Sequence, residues 1–163
     1  MNGRAFQFRD SQEGLGRFFL ALVVFFAAFL LEIRLAAVIP IEPSFLLAAL
    51  IALTFFLDFW EVLFLGLLAA LFLGYQPVLR PESILVAILP LLMAGARRII
   101  FPFTGWLSNF FGLLAALLLW YGILNFSESL RDPGLLGMDL LLSSLFGFLI
   151  FQFFRYGYSE TAH

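Results

Sequence analysis

The chain of 163 residues contains no cysteine and no lysine, and its single histidine, His163, is the last residue. Without cysteine there is no disulfide, no thiolate nucleophile and no thiolate metal site. One histidine in a frayed terminal segment supplies neither a Ser/His/Asp set nor a metal cluster. Gly-rich phosphate loops are absent as well. Charge is scarce: 12% of residues are charged, about half the share in soluble domains. The formal net charge of −2 leaves no basic footprint for nucleic acid. These absences point away from an enzyme and away from any cofactor.

What is abundant is apolar. Hydrophobic residues make up 63% of the chain, and 23 residues are Phe. That excludes an ordinary soluble domain and predicts one polytopic, all-α membrane domain covering residues 1–163.

The informative stretch is Ser44–Gln76, apolar except for Asp58-Phe59-Trp60-Glu61. As one straight helix it would run about 50 Å, against roughly 30 Å of bilayer hydrocarbon. It would also place two carboxylates near mid-bilayer, at roughly 3 kcal/mol each. Folding back at Asp58–Glu61 removes both problems. The stretch therefore reads as a helical hairpin with Asp58, Trp60 and Glu61 at one water interface.

Residues 1–16 read as a polar cytoplasmic tail, with a possible interfacial turn at Phe6 and Phe8. Arg17 opens a first span over about 17–39, which Pro40 and Pro43 end. Its basic flank and 14-residue apolar core also fit a signal peptide, but the apolar pattern continues through Glu32 and Arg34 to Ile39. The hairpin gives spans at about 44–57 and 60–75. A fourth follows at about 82–96, carrying Pro90, then a fifth at about 105–126 and a sixth at about 135–154. Six spans with the amino terminus inside put Arg4, Arg9, Arg17, Arg97, Arg98 and Arg155 on the cytoplasmic side and Arg34, Arg80 and Arg131 outside. That split obeys the positive-inside rule, with both termini cytoplasmic. A single tilted helix in place of the hairpin would give five spans and an outside carboxyl terminus.

Helices in lipid associate through small residues that let backbones approach. Gly66, Ala70 and Gly74 form one such ridge on the third helix, and Ser108, Gly112 and Ala116 another on the fifth. Ala48 with Ala52, and Ser143 with Gly147, continue the pattern. These ridges serve either contacts within the bundle or docking of a partner's helix. Among polar groups, Asp58 and Glu61 share a predicted depth with Arg97 and Arg98, which suggests that the two pairs anchor each other at the cytoplasmic interface. Glu32 and Arg34, two apart, do not share a helical face. Asp139 reads as a capping or interfacial residue. Asn109 and Gln152 are expected to make interhelical hydrogen bonds.

The layout of residues 17–155 resembles the rod shape-determining MreD family of bacterial inner-membrane proteins. The resemblance rests on a lone first span, a Pro-marked short loop at Pro40–Pro43 and a tight hydrophobic hairpin. A third helix bearing Gly66 and Gly74, a Pro-containing fourth and two final spans complete it. It implies a non-enzymatic scaffold or assembly subunit of the cell-elongation machinery. Such a subunit would sit in the inner membrane beside a single-span partner of the MreC type and near peptidoglycan synthases. The layout is also similar to the substrate-binding S-components of energy-coupling-factor transporters, which likewise use six helices. That resemblance implies a carrier subunit for a vitamin-sized molecule.

Overall fold

In the computed structural model the described residues are 3–38, 43–74, 81–99, 106–124 and 133–159; at 3–13, 36, 97–99, 106, 108 and 158–159 the backbone alone is described. All regular structure among them is helical: α1 (Gly3–Ala36), α2 (Phe45–Leu53), α3 (Phe59–Leu73), α4 (Pro81–Ile99), α5 (Trp106–Leu124) and α6 (Pro133–Ser159).

The architecture is built around α2. All nine of its residues are buried, and it packs against each of the other five helices. Its sequence, FLLAALIAL, has no polar face to turn outward, and a helix apolar all round belongs in a core. Around it α1 packs on α3, α3 on α4, α4 on α5 and α5 on α6. The α3–α4 pair packs most extensively, with Gly66 against the Ala87 carbonyl.

Contacts between neighbours give the directions. Phe18 meets Phe64 and Phe26 meets Phe72, so α1 and α3 run parallel. Phe45 meets Phe146 and Phe56 meets Phe154, so α2 and α6 run parallel. Phe110 meets Phe148, while a methyl group at Gly147 would meet Leu113, so α5 and α6 are antiparallel. Odd-numbered helices run one way and even-numbered helices the other. The bundle therefore has two ends, one carrying Glu32 and the other Asp58.

Two segments are long and apolar enough to cross a membrane, Gly14–Leu35 of α1 and Pro133–Gly157 of α6. Apolar stretches in α3, α4 and α5 are shorter, and α2 at nine residues rises only about 14 Å. Each peripheral helix turns large apolar side chains outward. On α4 these are Ile84, Ile88 and Leu92 at steps of four; on α6 they are Leu141, Leu145, Leu149 and Phe153.

Three expected boundaries shift. Helix α1 begins at Gly3 rather than at Arg17, so the tail expected over 1–16 is largely a helical extension. No proline precedes Pro40 to stop it. The second helix ends at Leu53 rather than near residue 57. There the Thr54 N–H is shared between the Leu50 and Ile51 carbonyls, and the Thr54 hydroxyl donates to Ile51 O at 2.7 Å. This tightens the last turn and hands the chain to the bend at 54–57. At the far end α6 continues to Ser159. Inside α4, Pro90 is buried and removes the donor that the Val86 carbonyl would accept.

Candidate functional site

The polar chemistry of the bundle gathers at the two ends of α2. At the Asp58 end the chain reverses through residues 54–58, as the acidic turn predicts. Asp58, Phe59 and Trp60 are exposed, Trp60 to 75%. Asp58 is the N-cap of α3, with extended backbone (φ −77°, ψ 161°). Its N–H donates to Glu61 Oε2 at 2.8 Å, completing a capping box. Glu61 also faces the Arg17 guanidinium of α1 at 4.0 Å. The expected partners of this acidic turn were Arg97 and Arg98, whose side chains lie outside the described residues. The partner that is described, Arg17, follows from the packing of α1 against α3.

At the other end the polar groups come from four elements. The Leu46 N–H, in the first turn of α2, donates to Glu32 Oε2 of α1 at 2.7 Å. Ser44, the N-cap of α2, makes no side-chain cap. Its N–H is shared between Ser143 Oγ of α6 at 3.0 Å and the Tyr121 hydroxyl of α5 at 3.3 Å. Its own hydroxyl turns to Tyr121 at 3.4 Å. Trp120 is buried beside Tyr121 on α5. Glu32 thus caps a helix other than its own, while Arg34, two residues on, is exposed. A carboxylate at the positive end of a helix is favoured by the backbone dipole, and more so where water is scarce.

The small residues are used inside the bundle. Gly66 faces the Ala87 backbone of α4, and Gly74, the C-cap of α3, lies beside Ser83 Oγ. Gly112 is buried against Met93 and Phe55, Ala116 is in the core, and Ala70 is half-buried against it. Gly147 brings α6 onto the Ala48 carbonyl of α2, where a methyl group would come to 3.1 Å. Ser108 lies outside the described side chains.

The hydrogen bonds expected of Asn109 and of Gln152 Oε1 are not found among the described residues. Asn109 is 1% exposed, yet neither its amide nitrogen nor its carbonyl oxygen has a hydrogen-bond partner among the described residues. It lies one turn before Gly112, whose neighbours are Met93 and Phe55. Gln152 Oε1 is likewise buried without a partner. No group of three or more metal-ligating side chains occurs among the described residues.

Sequence reasoning missed Glu32, Ser44, Tyr121 and Ser143 as a group. It treated Asp58 and Glu61 only as interfacial charges, although the D-x-x-E spacing at the start of an apolar run is itself a capping-box signature. No such local signal marks Glu32, because its partner lies 14 residues away on another helix.

Among the described residues the arrangement defines an all-helical bundle with two helices long and apolar enough to cross a membrane and with hydrogen-bonded polar groups meeting at both ends of α2. Comparison with protein-family profiles, with curated proteins and with solved structures finds no match.

Proposed function

We propose that the chain is an integral inner-membrane protein whose six helices form one membrane-embedded bundle, five of them around the short α2, with both termini cytoplasmic. It acts there as a non-enzymatic scaffold of the cell-elongation machinery. The observation that supports this most is the division of surfaces. Large apolar side chains face outward on all five peripheral helices, and α2, too short to cross alone, is shielded from lipid by protein. The polar side chains Glu32, Asp58, Glu61 and Arg17 are engaged in capping and pairing helix ends. Such a molecule offers its partners an apolar flank. A single-span protein of the MreC type fits that flank, with peptidoglycan synthases nearby, as the resemblance to MreD implies.

A second reading is the small-molecule carrier. The buried hydroxyls of Ser44, Tyr121 and Ser143, which meet at one end of α2, favour it. These are groups that orient a ligand in an apolar pocket.

Photo-crosslinkers at the outward positions Leu92 and Leu145 separate the two. Capture of a single-span protein in the native membrane, with cell rounding on depletion, is the expected result. A vitamin-sized molecule retained through detergent extraction, with no crosslinked partner, would overturn the scaffold in favour of the carrier.

A further inference from the structure

The peripheral helices differ in apolar height. Gly14–Leu35 of α1 and Pro133–Gly157 of α6 rise about 33 and 37 Å at about 1.5 Å per residue. Helix α3 rises about 22 Å, and the apolar part of α4, Pro81–Ala96, about 24 Å. Bilayer hydrocarbon is roughly 30 Å thick. A helix that is too long can tilt until it fits, so α1 and α6 have a remedy within the protein. A helix that is too short has none, because tilting shortens its span further.

Chemistry fixes the ends of the short pair. Helix α3 starts at the Asp58–Glu61 capping box and closes at its C-cap Gly74, whose N–H donates to Ala70 O. Helix α4 carries Glu82 in its first turn, and Arg97-Arg98 follow Ala96. Backbone that faces lipid hydrocarbon must be helical, so these lengths are ceilings. The two helices pack as a unit, with Gly66 against the Ala87 backbone and Gly74 beside Ser83 Oγ. Both turn large apolar side chains outward: Phe64, Leu67 and Leu71 on α3, Ile84, Ile88 and Leu92 on α4.

We infer that the α3–α4 flank thins the bilayer beside it and gathers short-chain phospholipid there, while α1 and α6 meet hydrocarbon of ordinary thickness. The inference rests on the membrane-embedded reading proposed above. Longer acyl chains at this flank would either compress or draw Asp58 and Glu61 towards hydrocarbon, and both carry a cost. Short chains cover the two helices with neither. The perimeter of the bundle thus carries a step in thickness.

The chain has no native cysteine, so single-cysteine labels report each flank separately. Leu67 and Leu145 lie near the middles of the apolar stretches of α3 and α6, and each is 53% exposed. The full-length Leu67→Cys and Leu145→Cys chains, each carrying one fluorophore, are reconstituted in dioleoylphosphatidylcholine. A minor fraction of the lipid is brominated, as dimyristoleoyl phosphatidylcholine in one sample and dioleoylphosphatidylcholine in the other. The ratio of quenching by the short to the long brominated lipid measures enrichment beside the label. That ratio should reach about 2 or more at Leu67 and stay near 1 at Leu145. A ratio near 1 at Leu67, or the same rise at Leu145, overturns the thinned flank. Quenching by neither lipid at Leu67 alone puts protein rather than lipid against α3 and overturns it too. Quenching by neither lipid at both labels instead overturns the membrane-embedded reading on which the inference rests.

Discussion

The starts of α2 and α3 lie in one hairpin and solve the same problem in opposite ways. Each must satisfy amides that have no partner within the helix. Helix α3 does so locally: Asp58 and Glu61, three residues apart, cap each other's backbone at the exposed turn. Helix α2 does so from a distance. Its amides reach Glu32, Tyr121 and Ser143 on three other helices, at separations of 14, 77 and 99 residues. The difference follows from water. At an exposed turn a local cap competes with solvent and contributes little beyond its own hydrogen bond. A buried helix end has no solvent to fall back on, so an unmet donor there costs about 1–3 kcal/mol and must be met by whatever packs nearby. The local start can form before the bundle does; the buried start exists only once α1, α5 and α6 are in place.

The sharpest way to break the comparison is the same charge reversal at both starts. Glu32→Lys sets a cation against the positive end of α2 in a half-buried site, and about 3 kcal/mol of stability should be lost. Glu61→Lys at the exposed turn should cost about 1 kcal/mol. Unfolding of the two variants in matched detergent checks this, and equal losses would erase the distinction. Next in size, Gly147→Ala forces α6 off the Ala48 carbonyl and into Leu113, at about 2 kcal/mol. The change should loosen the α2 amides before those of α3, as site-resolved hydrogen exchange would show. Ser143→Ala leaves the Ser44 N–H to Tyr121 alone and should cost about 1 kcal/mol, read from the same unfolding curves. The smallest effect belongs to Arg17→Ala. Its contact with Glu61 is long and partly solvated, so the loss should stay near 0.5 kcal/mol and shrink further as salt is raised.

The hairpin was legible because Asp58, Trp60 and Glu61 interrupt an apolar run at its middle, and no bilayer tolerates them deeper. The small-residue ridges were legible as spacing, but spacing alone leaves open what they meet. Gly66 and Gly147 meet helices of this chain. The length of α2 was not legible: FLLAALIAL runs on into the largely apolar TFFL, and the Thr54 hydroxyl ends the helix through a hydrogen bond that hydropathy does not register. That Asn109 finds no partner among the described residues was also hidden, because a lone amide in a span reads as a hydrogen-bonding residue until its neighbours are known.

By itself, then, the sequence determined composition, helical class and the place where the chain turns back. These follow from the transfer cost of each side chain and from signals within a few residues. Only the tertiary structure decided that the second helix lies at the centre, enclosed by five others, and that Glu32 caps it. Both depend on which helices touch, and that is set by packing between residues far apart in the chain.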